Sequence, residues 1–199
     1  MRILPILFNT EMVQAILDGR KTVTRRVIKD PYYIEDEEAC RGMGFAFHKG
    51  TDVTHGMPYP DEPYHPGDIF YVRETWAEWT GGYVYKADGA SSPYPLSFVD
   101  RWHPSIHMPK EAARIWLRVT DVRVERLREI DETGAAAEGL YKGWRLCGRG
   151  SLALSARQAF MWLWIYITRN SPAADSWACN PWVWVITFER CEKPAGWPS

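Results

Sequence analysis

The apolar residues between positions 115 and 124 change phase in the middle of a predicted strand. Two sets alternate there, one at odd and one at even positions: Ile115, Leu117 and Val119, then Val122 and Val124. Since successive strand side chains point to opposite faces of a sheet, one extra residue near Asp121 has to be absorbed by a β-bulge or a sharp bend. Bulges bend strands around small barrels, so this strand favours a curved sheet.

Further strands and helices are predicted along the chain. Apolar runs predict strands at 3–8, 21–27, 69–76, 83–87 and 182–189. Helical periodicity predicts a helix at 11–18, capped by Asn9 or Thr10 and ended by Gly19, and a helix at 131–138, capped by Asp131 and ended by Gly139. A third helix is predicted at 157–168; it is apolar almost all round and is therefore expected to be deeply packed. The strand at 182–189 is apolar on both faces, which predicts a central position in its sheet. Strands separated by helices in this way favour an α+β class, with a small, partly closed, curved β-barrel and flanking helices.

Length and composition limit the class of protein. A chain of 199 residues suits one domain, and its 46% hydrophobic and 25% charged residues are ordinary for a globular protein. The formal net charge of −1 excludes a protein that coats long nucleic acid through phosphate contacts, so we expect any nucleic-acid contact to be local. The 11 Trp and 10 Tyr residues exceed the usual need of such a core and leave some rings for stacking on flat ligands.

No pattern in the sequence predicts a metal site, a disulfide or a membrane span. Pro104 spoils a helical ligand pair between His103 and His107, and the four cysteines lie far apart: Cys40, Cys147, Cys179 and Cys191. The most apolar stretch, 160–167, is far shorter than the roughly 20 residues that a spanning helix needs. We therefore expect a cytoplasmic protein with reduced thiols, no cofactor and no membrane contact.

Residues 30–66 form a predicted insertion. They carry several prolines and many polar residues, which favours a long loop with little regular structure of its own. Loops of this length are usually functional or mobile. The chain is thus predicted to be one domain, 1–199, interrupted by one long loop.

Three segments of the chain resemble one known family. Residues 17–26 end a helix at Gly19 and continue as Lys-Thr-Val-Thr-Arg-Arg, which is similar to a G-x-K-T-x-T-x-R signature. Residues 67–76 look like that family's second strand, and the run Ala-Ala-Glu-Gly at 136–139 follows the strand at 115–124. Together they resemble the ASCH family, relatives of the PUA, EVE and YTH domains, over residues 5–188. The long loop and the residues near 102–109 and 180–185 look like the larger ASCH proteins of phages and prophages.

The resemblance implies a PUA-like fold and an activity. Small bacterial ASCH proteins include amidohydrolases that remove the acyl group from N4-acetylcytidine, and the likeness places the nucleophile at Thr24, the base at Lys21 and a carboxylate at Glu138. A hydroxyl needs such a base, and a partly desolvated lysine can serve as one. Both residues also have a structural alternative. Lys21 would only compensate the dipole at the C-terminus of the preceding helix, and Glu138 would be an exposed carboxylate whose unfavourable interaction with its helix dipole is screened by solvent.

Glu74 is a second candidate carboxylate. It shares one face of the predicted strand 69–76 with large apolar residues, so it needs a cationic partner, and Arg26 and Lys21 are the candidates. A structural ion pair is more common at such a position than catalysis.

Four side chains are candidate contacts to a nucleotide. Arg25, Arg26 and Arg73 are expected to clamp a phosphate, since guanidinium groups match phosphate oxygens with paired hydrogen bonds. Trp76 is expected to stack on a base, although strand aromatics more often pack the core. The partner would be RNA or a modified nucleoside, and two functions besides the amidohydrolase stay open: a non-catalytic reader of a modified base, and a single-strand ribonuclease.

Overall fold

The computed structural model describes residues 1–28, 63–80, 82–93, 96–146 and 151–197. The predicted loop at 30–66 lies outside them except for 63–66, as do Cys40 and Cys147. Within these ranges the principal elements, joined by turns and short 3₁₀ segments, are β1 Ile3–Leu7, α1 Thr10–Leu17, β2 Val23–Val27, β3 Ile69–Arg73, β4 Trp76–Trp79, β5 Gly82–Tyr85, β6 Trp116–Arg126, α2 Glu132–Ala137, α3 Ala156–Ile167 and β7 Trp182–Cys191.

Five strands form one mixed sheet in the order β1-β3-β6-β7-β2, and β4 pairs with β5 in a separate hairpin. β1 runs parallel to β3, whereas β3 and β6 are antiparallel, with Tyr71 opposite Trp116, and β2 and β7 are antiparallel, with Thr24 opposite Ile186. The α+β class and the central position of the last strand are confirmed. β1 and β2 stand at the two ends of the strand order, so the described strands do not close the predicted barrel, and the curvature of the sheet stays a prediction.

The chain forms two compact units that alternate along the sequence. The first comprises Met1–Thr22, Pro66–Thr120 and Phe188–Ser199, and the second comprises Val23–His65 and Asp121–Thr187. A core in the first unit includes Ile69, Tyr71, Met108 and Trp116, and the second unit buries Phe160 and Val185. The single domain over 1–199 stays a prediction.

The predicted change of phase in β6 is visible in the burial of its side chains. Odd-numbered Leu117 and Val119 are buried, but beyond them the half-buried apolar residues are the even-numbered Val122 and Val124. The strand runs unbroken through this change. From that point its odd-numbered positions are charged: Asp121, Arg123 and Glu125.

The ends of α1 and α2 follow the predicted capping residues. Asn9 accepts a hydrogen bond from the N–H of Met12, and Asp131 accepts one from the N–H of Gly134. Gly19 (φ 74°) follows α1 and Gly139 (φ 91°) follows α2, both in the left-handed conformation that glycine adopts most readily. Each helix therefore ends at a defined residue. Lys21 lies two residues after Gly19, and Glu138 lies immediately before Gly139.

Two predictions about these elements are wrong. The last turn of α3 is not deeply packed: Ile165, Tyr166 and Ile167 are exposed, because a helix that packs on one side cannot bury three consecutive residues. The predicted strand at 69–76 is two strands, β3 and β4, since the chain leaves the sheet after Arg73, next to the buried Glu74.

Candidate functional site

Thr24 and Arg26 lie on the same face of β2, because they are two residues apart in a strand. Thr24 is 1% exposed, and its Oγ1 accepts a hydrogen bond of 3.0 Å from Nη1 of Arg26, which also donates to the carbonyl oxygen of Arg25. The pKa of Arg26 is lowered by burial, and the nearby Glu138 carboxylate opposes that shift. The Thr24 hydroxyl is therefore held by a cation in a largely water-free setting.

Glu138 is the C-cap residue of α2 and is 5% exposed. Its Oε1 is 3.2 Å from Nη1 of Arg25, a residue that is itself buried. Nη2 of Arg25 is 3.2 Å from Oε2 of Glu125 on β6. The alternative of an exposed, screened Glu138 is wrong, and the phosphate clamp expected at Arg25 is not what the structure forms, because this guanidinium lies between two carboxylates.

Lys21 belongs to the first unit, in the corner between α1 and β2. It is 3% exposed, its Nζ lies 5.4 Å from the centre of the Phe8 ring, and its backbone N–H donates to the carbonyl oxygen of Ala15. A lysine that compensated a helix dipole from solvent would be exposed, so that alternative is wrong. The three residues to which the resemblance gives catalytic roles are thus all polar and buried, although their mutual geometry stays a prediction.

The partner of Glu74 is neither Arg26 nor Lys21. Glu74 is 0% exposed, and Arg114 binds it in a two-pronged pair, with Nε to Oε1 at 2.9 Å and Nη2 to Oε2 at 3.0 Å. Arg114 also contacts Asp88 at 2.6 Å and lies over the Tyr85 ring at 3.8 Å. Arg114 therefore joins Glu74 to Asp88 and Tyr85 in a structural network, and it is the residue that reasoning from the sequence missed.

The stability contributed by Glu74 is expected to depend on pH. Burial raises the pKa of Glu74 above its ordinary value of 4.5 in the folded chain, against the opposing effect of Arg114. A carboxyl group with a raised folded pKa contributes stability that is complete below the unfolded pKa and is lost as the pH rises through the folded pKa. The free energy of unfolding of the wild type, minus that of Glu74→Gln, should therefore fall as the pH rises above about 4.5. Urea titrations of both proteins at several pH values would measure it, and a difference that grew with pH would contradict the prediction.

Arg73 and Trp76 also have protein partners. The Arg73 guanidinium donates to the carbonyl oxygens of Met108 and Ile106, and so ties β3 to that segment. Trp76 is buried, with its ring stacked on His103 at 4.9 Å and edge-on to Tyr83 at 5.6 Å. Trp76 therefore packs the core, as strand aromatics commonly do, and the phosphate contact expected of Arg73 is taken by backbone oxygens.

None of the described helices is long and apolar enough to cross a membrane.

No protein-family model and no curated protein matches the chain. Two solved structures are similar to it: an ASCH domain from Lactobacillus crispatus JV V101, at 13% identity and a TM-score of 0.39 over 95% of this chain and 79% of that one, and a DUF984 protein from Enterococcus faecalis V583, at 12% identity and a TM-score of 0.42 over 96% and 76%.

Proposed function

We propose that this protein hydrolyses the amide of an N4-acylated cytidine, with Thr24 as nucleophile, Lys21 as general base and Glu138 as the acceptor for the exocyclic amine. The observation that carries the proposal is the buried Thr24 hydroxyl, which the Arg26 guanidinium holds at 3.0 Å. Burial of a polar side chain costs folding free energy unless the group is hydrogen-bonded. Residues that lower stability in this way are found most often at functional sites. The resemblance of residues 17–26 to the ASCH signature supports the same assignment.

The proposed chemistry balances in two steps. Lys21 takes the hydroxyl proton as Thr24 Oγ1 attacks the acyl carbon, and the C–N4 bond then breaks as Lys21 gives that proton to N4 and cytidine leaves. Water next gives a proton to Lys21 as it attacks the acyl-threonine ester. The C–Oγ1 bond breaks, Oγ1 takes the proton back from Lys21, and acetic acid leaves and ionises to acetate. The Arg26 guanidinium beside Oγ1 favours negative charge on that oxygen, both as the hydroxyl loses its proton to Lys21 and as Oγ1 later leaves the acyl carbon.

The test of this function is acetate release from N4-acetylcytidine by the purified chain, with N4-acetylcytidine in buffer as the blank. Turnover with cytidine as the second product is the expected result. Binding without acetate release would replace the hydrolase with the reader of a modified base. Cleavage of single-stranded RNA without acetate release would replace it with the ribonuclease.

Arg26→Ala is expected to lower kcat/KM for acetate release about 10- to 100-fold, since it removes one hydrogen-bond donor beside the nucleophile. The same loss is expected for N4-acetylcytidine and for its 5′-monophosphate. The acylated N4 and the 5′-phosphate lie at opposite ends of the nucleotide, so a guanidinium beside the nucleophile would lie far from that phosphate. The phosphate contact expected of Arg26 from the sequence is the alternative that the two substrates test.

Kinetics with both substrates at two salt concentrations would measure these effects. A larger loss for the monophosphate than for the nucleoside, with a flatter salt dependence, would return Arg26 to the role of a phosphate contact. Arg169→Ala is a matched control, because Arg169 is an exposed arginine at the end of α3 whose guanidinium donates to the carbonyl oxygen of Tyr166.

A further inference from the structure

The pairing of β2 with β7 places three β7 side chains on the face that carries Thr24. Thr24 stands opposite Ile186, and Arg26 stands opposite Trp184. Directly opposed residues of a strand pair share a face, as do residues two apart in one strand, so Trp182 lies on this face too. We call the three β7 side chains, Ile186, Trp184 and Trp182, the β7 row.

The β7 row leads from the interior of the second unit to its surface. Ile186 and Trp184 are buried like Thr24, whereas Trp182 is half-buried. Strand residues rise about 3.3 Å each, so Trp182 lies about 13 Å from the position opposite Thr24. This length is comparable with the span of an acylated cytidine nucleotide from its acyl carbon to its phosphate. A substrate whose amide meets Thr24 would therefore bring its phosphate to the half-exposed end of the row.

Arg126, the last residue of β6, lies at the half-exposed end of the β7 row. Its guanidinium carbon is 4.2 Å from the centre of the Trp182 ring, and its Nη1 donates to the carbonyl oxygen of Asn180 at 3.2 Å. Neither of these contacts neutralises the guanidinium, because an indole ring and a carbonyl oxygen carry no net charge. Together they orient the guanidinium, which paired hydrogen bonds to a phosphate require.

We propose that Arg126, oriented by Trp182, binds a phosphate group attached to the N4-acylated cytidine, so that the preferred substrate is a nucleotide, either free or within RNA. The position of the cytosine ring rests on the proposed function, in which the acylated N4 meets Thr24. Arg126 would supply the phosphate contact that was expected of Arg25 and Arg73, whose guanidinium groups are bound to carboxylates and to backbone oxygens.

The test is calorimetric binding of N4-acetylcytidine and of its 5′-monophosphate, with Thr24→Val as the parent so that neither ligand is consumed. The parent should prefer the monophosphate, and Arg126→Met should weaken the monophosphate about 10-fold more than the nucleoside, since it removes a charged hydrogen-bond donor. We take the lower part of the range because the Glu129 carboxylate, which accepts a hydrogen bond from the backbone N–H of Arg126 at 3.2 Å, repels an anion. Higher salt should reduce the preference in the parent.

Arg123→Met is the matched control. Arg123 is a 46% exposed arginine of the same strand, and because it is three residues from Arg126 it points to the opposite face. Its loss removes the same charge and should leave the ratio of the two affinities in place. Arg126→Lys should keep part of the ratio, because lysine keeps the charge but not the paired hydrogen bonds.

The source of the phosphate is tested with N4-acetylcytidine inside a short single-stranded RNA. An effect of Arg126→Met on this RNA as well as on the monophosphate would identify a phosphate of the RNA backbone. An effect on the monophosphate alone would identify a free nucleotide. Either result supports the contact.

Three outcomes would overturn the inference: a parent with equal affinity for nucleoside and monophosphate, equal weakening of both ligands in Arg126→Met, or an equal loss of the ratio in Arg123→Met. The second would make Arg126 a structural residue, and the third would leave only the net charge of the unit. Binding needs no turnover, so a failure to release acetate would count against the proposed function alone. Acetate release without a preference for the monophosphate would count against this inference alone.

Discussion

Thr24→Val is expected to lower kcat/KM for acetate release from N4-acetylcytidine by at least about 10³-fold, because it removes the attacking hydroxyl. Valine keeps the β-branched shape that suits the buried position in β2, so the loss should not come from unfolding. Lys21→Ala should be about as inactive, since the hydroxyl then lacks its base. Residues that act as one unit are not additive, so the variant that carries both changes should be no worse than either single variant.

Thr24→Ser is the matched control for this experiment. It keeps the hydroxyl and should keep part of the activity, while calorimetric binding of N4-acetylcytidine should be similar in the serine and valine variants. An unaltered rate in Thr24→Val would leave a hydrolase possible but would exclude Thr24 as its nucleophile.

Arg114→Ala should lower the free energy of unfolding by about 3 kcal/mol, because it leaves the fully buried Glu74 carboxylate without its cation. We place the loss at the lower end of the range for buried pairs, since the Arg114 side chain is 28% exposed. Urea unfolding would measure it. Arg118→Ala is the control: Arg118 is an exposed arginine on β6, and its removal should cost less than about 0.5 kcal/mol.

The variant that carries both Glu74→Gln and Arg114→Ala should lose less stability than the sum of its two parts, because each single change leaves a partner behind. Equal losses in Arg114→Ala and Arg118→Ala would show that Glu74 does not depend on its ion pair.

The sequence predicted most of the elements, and the ends of α1 and α2, because those depend on local chemistry. The caps Asn9 and Asp131, the glycines at 19 and 139, and the change of phase in β6 are all short-range patterns. Burial of Glu74 was predicted for the same reason, since its neighbours on one face of the predicted strand 69–76 are apolar.

The partners of the charged residues were not predicted, because they depend on strand pairing. Arg114 lies 40 residues from Glu74, and only the antiparallel pairing of β3 with β6 brings the ends of those strands together. Arg25 was expected to bind phosphate because nothing in the sequence shows that Glu125 and Glu138, 100 and 113 residues away, converge on it. Sequence reasoning therefore fails first for charged side chains whose partners lie far away along the chain.

The change of phase in β6 has a consequence for how this chain tolerates insertions and deletions. A strand that gains or loses one residue turns every later side chain to the opposite face. In β6 that would turn Val122 and Val124 away from the protein interior and Glu125 away from Arg25 in a single step. Homologous chains that keep this arrangement should therefore differ in length between the strands and conserve the residue count of the strand that carries Asp121 and Glu125.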